Sequence, residues 1–283
     1  MSAVTMPASR QTEFRFDTAD HAAISAFVYE EAGILMPPGK MQLVYGRLAP
    51  RVRASGLKTF ADYIVLIGRD DDERTRAIDA LTTNHTSFFR ESHHFDHFLE
   101  HAWPALDQRL ASRGKVRIWS AACSSGEEPY SLLMTMFGKD RGNGQRLSRT
   151  DLRILATDLS TEILGAAAAG RYALDTASGI PMSLRKAWVK RDGDMAEVHP
   201  LLRDRCAFRK LNLLEPWPIR GLFDAIFCRN VMIYFDAATQ RRVLERIHRV
   251  MKPGGLLFVG HAENFSDSRD LFTLKGKTVY ERR

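Results

Sequence analysis

Small residues between Ser120 and Gly126 could let a nucleotide-like ligand approach the main chain. Ser120, Ala122, Ser124 and Gly126 stand at every second position. This is the spacing of an acidic-x-Gly-x-Gly-x-Gly nucleotide loop in which all but the last glycine are replaced, so a strict dinucleotide fingerprint is absent. The run predicts a ligand-binding loop, with an ordinary strand-to-helix turn as the alternative reading.

The flanking residues predict the elements that would position this loop. Val116 to Trp119 are β-formers, whereas Glu127, Glu128 and Pro129 favour the start of a helix. Open α/β folds keep their binding crevices where a parallel strand gives way to a helix. The loop is therefore expected at the carboxyl end of a buried strand.

Asp158 is a second candidate, because it ends the predicted strand that starts at Arg153. An acid at this position of nucleotide-binding α/β folds accepts hydrogen bonds from ribose hydroxyls. The alternative role is N-cap of the helix Thr161–Ala169, although Ser160 could also cap that helix. The sequence favours the ribose role.

The rest of the chain from residue 116 alternates between predicted strands and helices, which indicates an open parallel sheet. Residues 138–149 read as a loop, and residues 190–210 as a small antiparallel insert that includes Cys206–Lys210. Asn230 lies just past a third buried strand. Later elements are predicted at 236–251 (helix), 255–260 (strand) and 277–281 (strand).

The N-terminal part reads as a flexible tail over residues 1–16 and a small helical domain over residues 17–85, followed by an α/β domain over residues 86–283. Pro50 is expected to kink or split the second helix, because proline removes a hydrogen bond and clashes one turn back. No acidic residue occurs between Ala32 and Ala61, and Lys40, Arg47 and Arg51 fall close to one helical face. That face is either solvated or docks an acidic partner.

Composition limits the class of protein. The chain has 283 residues, 45% hydrophobic and 27% charged, enough for one large α/β domain and a smaller companion. Neither a membrane-spanning apolar run nor a signal-peptide core is evident, so a soluble cytoplasmic protein is expected. The three cysteines suit reduced thiols. The net charge of +7 and the pI near 9.4 favour an acidic partner.

Histidines recur at helical spacing at His93, His97 and His101. Histidines one turn apart can bind zinc, but no carboxylate stands in the HExxH arrangement. The sequence therefore predicts no metal site.

Five separated motifs together resemble the chemotaxis receptor methyltransferases of the CheR type. They cover about residues 20 to 282, in the family's order. The motifs are Thr83-Asn84-x-Thr86-x-Phe88-Phe89-Arg90, Ser120 to Ser131, Ala156-Thr157-Asp158, Phe227 to Phe235, and Gly260-His261-x-Glu263-Asn264-Phe265.

The resemblance implies a Rossmann-like class I methyltransferase domain with a small antiparallel β insert, preceded by a small all-α domain that recognises the receptor. S-adenosylmethionine would be the methyl donor, and a glutamate of a chemoreceptor's cytoplasmic helical bundle the acceptor. A monomer is expected, without nucleic-acid binding or direct membrane insertion. Arg90 and Tyr234 match positions that handle the substrate carboxylate. The cofactor contacts fall on Asn84, Thr86, Arg90, Glu127, Asp158, Asn212, Leu213, Asn230 and Val231.

Three other interpretations start from the same residues. Asn230 to Phe235 faintly resembles the Asn-Pro-Pro-Tyr loop of amino methyltransferases, so a nucleic-acid or small-molecule methyltransferase is one alternative, although the prolines are missing. A non-catalytic nucleotide-sensing scaffold is another. A nicotinamide dehydrogenase is disfavoured by the lost glycines.

Overall fold

The computed structural model describes residues 13–82, 85–265 and 268–283. Most of the predicted tail, residues 1–12, lies outside these ranges, as does Asn84. The chain divides into two compact units, Met1–Thr83 and Asn84–Arg283. Among the described residues, no helix combines the length and hydropathy needed to cross a bilayer.

The described part of the first unit is helical. Its α-helices begin at side-chain caps where the sequence offers them: Asp17 caps the first, Thr59 the third and Asp70 the fourth. Fully buried apolar residues on each helix form the common core. The helices are α1 (Thr18–Ala32), α2 (Met41–Ala54), α3 (Phe60–Arg69) and α4 (Asp71–Leu81).

Helix α2 runs through Pro50 without a break, so the expected split is wrong. The proline is exposed, and Val44, Leu48 and Val52 are fully buried on either side of it. Gly46, one turn back, has no side chain that the ring could meet. Packing of the apolar face therefore outweighs the hydrogen bond lost at the proline.

The basic face of α2 is largely used within the first unit. Arg47 donates to the carbonyl oxygens of Leu81 and Thr82 at 2.7 and 2.9 Å, which satisfies the end of α4. Arg51 forms a two-pronged ion pair with Glu73, a residue only 4% exposed. The sequence left open whether this face is solvated or docks an acidic partner; in the structure, both arginines are instead bonded to α4 of the same unit.

The second unit is built on a seven-stranded sheet in the order β6-β2-β1-β7-β8-β10-β9. Neighbours from β6 to β8 pair in parallel, whereas β10 runs antiparallel to both β8 and β9. The predicted all-parallel sheet is thus wrong at its C-terminal edge. The strands are β1 (Lys115–Ala121), β2 (Asp151–Asp158), β3 (Arg171–Ala173), β4 (Val189–Asp192), β5 (Met195–Val198), β6 (Cys206–Lys210), β7 (Phe223–Cys228), β8 (Met251–Phe258), β9 (Phe272–Gly276) and β10 (Val279–Arg282).

Strands β3, β5 and β4 form a separate antiparallel sheet in that order. Cys206–Lys210, expected in this insert, instead pairs in parallel with β2 and forms one edge of the large sheet. Its register, with Cys206 opposite Ile154, lets Phe208 pack against buried core residues. The small sheet therefore draws on residues 171–198 rather than 190–210.

Helices cover both faces of the large sheet, as expected for parallel strands. The segment predicted as a loop at 138–149 contains a helix, because Asp140 caps it and its Leu147 is fully buried. The helices are α5 (His93–His97), α6 (Trp103–Ala111), α7 (Glu127–Phe137), α8 (Arg141–Ser148), α9 (Thr161–Ala169), α10 (Leu174–Ala177), α11 (Met182–Trp188), α12 (Pro200–Arg203) and α13 (Ala237–Val250).

Candidate active site

The strand ends bring most of the predicted cofactor residues to one edge of the sheet. Ala121, the last residue of β1, lies opposite Thr157 of β2 and Cys228 of β7, and Asp158 lies opposite Lys210 of β6. The chain therefore leaves four neighbouring parallel strands at the same level. The predicted residues at or after these ends are Glu127, Asp158, Asn212, Leu213, Asn230 and Val231.

The loop after β1 is a tight turn with its backbone in the left-handed region at Ala122 (φ 57°), Ser124 (φ 49°) and Gly126 (φ 92°). A Cβ added to Gly126 would lie 2.9 Å from the Cβ of Ala167, so helix α9 leaves room only for glycine. This explains why the last small residue of the run is the glycine. The predicted strand, turn and helix are confirmed.

Asp158 ties the ends of β1 and β2 together. Its Oδ2 accepts a hydrogen bond from the Ser124 N–H at 2.8 Å, and its Oδ1 accepts one from Ser160 at 3.1 Å. Burial raises the pKa of this carboxyl, against these backbone donors. Ser160, not Asp158, caps α9 through the Ile163 N–H, which removes the capping alternative.

The two acids that open α7 differ in surroundings. Glu127 is 3% exposed, and burial raises its pKa, while the Ser125 hydroxyl donates to it at 2.8 Å. Glu128 accepts from the Ser120 hydroxyl at 2.6 Å and pairs with Arg229 at 3.0 Å. Two carboxylates therefore line the first turn of α7, where the helix dipole favours negative charge.

Arg90 lies in the segment before α5, and its main chain is fixed by buried partners. The Phe89 N–H donates to the Ser131 hydroxyl of α7 at 3.0 Å. The guanidinium of Arg229, just after β7, donates to the carbonyl oxygen of Arg90. The half-buried side chain of Arg90 itself donates to the His85 carbonyl at 2.8 Å. Thr86, also half-buried, precedes Arg90 by four residues.

Arg229 is the centre of this arrangement and was missed by the sequence reasoning. Its side chain is 3% exposed and pairs with Glu91 at 3.2 Å and Glu128 at 3.0 Å. Burial alone would raise the pKa of Glu91, but His261 and the charge of Arg229 lower it to about 2. One cation thereby links three segments of the site.

Glu91, His93 and His94 offer ligand atoms within 4.8 Å of one another, a spacing compatible with one metal ion. The Arg229 guanidinium already balances the Glu91 carboxylate and would repel a second cation there. Burial lowers the pKa of His94 to about 3, and its Nε2 lies 2.8 Å from the Thr278 hydroxyl. The cluster is better explained as packing around the Glu91–Arg229 pair than as a metal centre.

Tyr234 closes a short 3₁₀ turn, Met232–Tyr234, that follows Asn230 and Val231. Its N–H donates to the Val231 carbonyl at 3.2 Å, and its side chain is half-buried. Asn230 has a left-handed backbone (φ 58°). Residues 230–234 thus carry two predicted cofactor residues, Asn230 and Val231, and one predicted catalytic residue, Tyr234.

Backbone strain is concentrated in these segments. Seven non-glycine residues in the described ranges have positive φ, and five of them are Phe89, Glu91, Ala122, Ser124 and Asn230. Such conformations cost of the order of 1–3 kcal/mol each and persist where the surroundings enforce them. Ala122, Ser124 and Asn230 follow strand ends, and Phe89 and Glu91 lie before α5, so the strained backbone coincides with the segments that carry the predicted site residues.

A seven-stranded sheet in which β10 runs antiparallel to both of its neighbours, with a small-residue loop after β1, defines a class I methyltransferase domain. Residues 84–280 match the family model described as CheR methyltransferase, SAM binding domain, and residues 19–82 match CheR methyltransferase, all-alpha domain. The chain therefore belongs to the CheR methyltransferase family, and its predicted cofactor, S-adenosylmethionine, is confirmed.

Curated relatives match along most of the chain. Chemotaxis protein methyltransferase 2 of Pseudomonas aeruginosa is 40% identical over 281 residues, covering 97% of this chain and 96% of that protein. The chemotaxis protein methyltransferase of Escherichia coli is 41% identical over 267 residues, covering 91% and 88%. That of Klebsiella aerogenes is 42% identical over 268 residues, covering 91% and 87%.

The residues at the strand ends fit this cofactor. The buried acids Glu127 and Asp158, and the tight turn of small residues before Glu127, suit a cofactor that carries positive charges and ribose hydroxyls. The individual contact and catalytic roles stay predictions.

Proposed function

We propose that this protein transfers a methyl group from S-adenosylmethionine to glutamate side chains of a chemoreceptor's cytoplasmic helices, giving glutamyl methyl esters. The main support is the buried Arg229 network, which fixes the main chain of Arg90 next to the acids of the cofactor loop. A cation held beside a cofactor site suits a carboxylate acceptor better than a nucleic-acid base. The names of the curated relatives point to the same process.

Cofactor binding is assigned to the residues at the strand ends and to the segment before α5. Asp158 would accept hydrogen bonds from the ribose hydroxyls, and Glu127 would face a positively charged part of the cofactor. Small side chains in the loop Ser120 to Gly126 would allow close approach. The remaining contacts are assigned to Asn84, which lies outside the described residues, and to Thr86, Arg90, Asn212, Leu213, Asn230 and Val231.

The reaction needs no general base. A glutamate side chain with a reference pKa near 4.3 is already ionised at pH 7. When bound, S-adenosylmethionine supplies an electrophilic methyl group on a positively charged sulfur. The protein's contribution is in-line orientation, which can be worth about 7 to 11 kcal/mol in favourable cases. A dry site also favours the transition state, because opposite charges neutralise each other there.

Arg90 and Tyr234 are assigned to the acceptor carboxylate. The guanidinium would attract and align it, and the phenol would donate a hydrogen bond to one oxygen. A tight ion pair would stabilise the anion before reaction and slow its attack, since only contacts that strengthen in the transition state accelerate chemistry. Arg90 therefore orients the carboxylate rather than clamping it. Its half-buried side chain, which donates to the His85 carbonyl and is only partly covered, is suited to that role.

The partner is proposed to be an acidic helical bundle in the cytoplasm, recognised by the helical unit through its exposed cations. The net charge of +7 supports an acidic partner over a basic one. We propose that the protein works as a monomer, without nucleic acid or membrane insertion.

Methyl transfer from radiolabelled cofactor to a purified receptor cytoplasmic fragment tests this function. Label should enter the receptor and be released as methanol by mild base, because carboxyl methyl esters are base-labile. A receptor whose acceptor glutamates are replaced by alanine is the matched control. Stable label, or label in DNA or RNA but not in receptor, would overturn the proposal.

A further inference from the structure

Glu263, in the segment after β8, accepts hydrogen bonds from four main-chain N–H groups. Its Oε2 accepts from Asn230 at 3.0 Å and from Gly260 at 2.5 Å. Its Oε1 accepts from Met232 at 2.7 Å and from Ile233 at 3.3 Å. The residue is only 3% exposed. One carboxylate thus fixes the main chain of the loop after β7.

Burying this charge has a cost, which the four donors offset. Burial raises the pKa of Glu263, and the N–H groups of Gly260, Asn230, Met232 and Ile233 lower it. Bonds to an ionised acceptor are about twice as strong as neutral ones, and losing an acceptor would leave buried N–H groups unsatisfied. An apolar side chain would fill the space without the free-energy cost of burying a charge, but it could not accept these hydrogen bonds and hold the loop.

The held loop has an uncommon backbone conformation and is closely packed. Asn230 has φ 58°, in the left-handed region that few non-glycine residues adopt and that asparagine tolerates best. A Cβ on Gly260 would lie 2.3 Å from the Asn230 Nδ2, so the two segments leave no space between them. The side-chain amide of Asn230 also donates, through Nδ2, to the Glu91 Oε1 at 3.3 Å. Without Glu263, the loop would lose the contacts that hold this conformation.

We propose that Glu263 is a positioning residue for methyl transfer: its carboxylate sets the backbone of Asn230 to Ile233, so that Asn230 and Val231 meet the cofactor and Tyr234 meets the acceptor. This rests on the proposed roles of those three residues. The last N–H group that Glu263 accepts from is that of Ile233, one residue before Tyr234. The Tyr234 N–H itself donates to the Val231 carbonyl oxygen. A displacement of the Glu263 carboxylate would therefore move the Tyr234 phenol and the cofactor contacts of Asn230 and Val231 together.

Glu263→Gln tests this inference, because it keeps the shape but turns an amide N–H₂ towards two of the four donors. We expect kcat with a receptor fragment to fall about tenfold or more, and the Kd for S-adenosylhomocysteine to rise about fivefold or more, as expected for losing charge-assisted hydrogen bonds. Calorimetry measures the Kd without any reaction. The KM for the receptor should change less than kcat, since docking surfaces are untouched.

Asp224→Asn is the matched control. Asp224 is also a buried carboxylate that accepts a main-chain N–H, from Arg117 at 2.8 Å, but it stands at the opposite end of β7 and pairs with Lys252. It should lower the melting temperature while leaving kcat and Kd within about twofold of wild type. The same pattern in Glu263→Gln would overturn the inference and make Glu263 merely structural.

Glu263→Asp is the second variant, with the same thresholds, should Glu263→Gln fail to fold. It keeps the charge but is one methylene shorter, so it cannot span all four donors. If the wild type itself did not methylate receptor, the proposed function would fail, and the Kd comparison alone would decide the role of Glu263.

Discussion

At the scale of single residues, Asp158 combines two tasks that can be separated by measurement. It anchors the Ser124 N–H of the cofactor loop and is proposed to bind the ribose. Asp158→Asn removes the charge and one acceptor oxygen. We expect the Kd for S-adenosylmethionine to rise about tenfold or more, because losing charge-assisted hydrogen bonds costs about 1.5 to 3 kcal/mol. Titration calorimetry on the folded variant measures this.

Asp151→Asn is the control for that experiment, because Asp151 starts the same strand and pairs with Arg117 at 2.8 Å, far from the loop. It should leave the Kd unchanged. Equal affinities of wild type and Asp158→Asn would remove Asp158 from the cofactor site.

How far the site could be predicted depends on whether a residue's role shows in its local sequence. Asp158 ends a strand and Gly126 ends a run of small residues, so both were recognisable. Arg229 and Glu263 were not, because their roles lie in contacts with segments tens of residues or more away: Arg229 with Glu91, and Glu263 with Asn230. For Glu263, the available signals were its place in the Gly260-His261-x-Glu263-Asn264-Phe265 motif and its position a few residues after the carboxyl end of β8.

At the scale of elements, the sequence predicted best where local patterns and packing agree. The strand before the loop and helices α9 and α13 follow their patterns and caps. The prediction of a loop at α8 was wrong, because the sequence of this helix is mostly polar and contains a single leucine, which is buried. The prediction for β6 was wrong because its pairing with β2 depends on residues far away in the sequence. The prediction failed again at Pro50, where tertiary packing overrides a local breaker.

Helix α2 allows a test of the corrected basic face. In Arg47→Glu/Arg51→Glu, the buried Glu73 would lose its ion pair and face a like charge, and the end of α4 would lose its donor. Removing one partner of a buried pair typically costs about 3 to 5 kcal/mol. We expect a markedly lower denaturation midpoint for the variant in urea, followed by circular dichroism.

Lys58→Glu is the matched control, since Lys58 is an exposed cation of the same acid-free stretch. Its stability should stay within about 0.5 kcal/mol of wild type, as for most surface substitutions. A double variant as stable as Lys58→Glu would contradict the structural role of Arg47 and Arg51 and restore them as candidates for docking.

At the scale of the whole molecule, the charge of +7 and pI near 9.4 bear on how the enzyme meets its partner. Charge of this size steers association with an acidic surface without specifying a fold. With Arg47 and Arg51 used internally, the cations left for docking within the acid-free stretch include the exposed Lys58 and Arg53, the latter paired with Glu13. Contacts made by such exposed groups are screened by solvent and are therefore sensitive to salt.

We expect the KM for the receptor fragment to rise several-fold between about 0.05 and 0.3 M salt, because the Debye length falls below about 10 Å over this range. Each exposed pair contributes only about 0.2 to 1 kcal/mol, so kcat should hardly change. Lys58→Glu should raise the KM at low salt and flatten its salt dependence. Arg69→Glu makes the same change of charge at an exposed position outside the acid-free stretch and separates a local contact from the net charge. If both variants shift the KM equally, steering by net charge is sufficient; if neither shifts it and the wild type shows no salt dependence, recognition of an acidic surface by the helical unit is wrong.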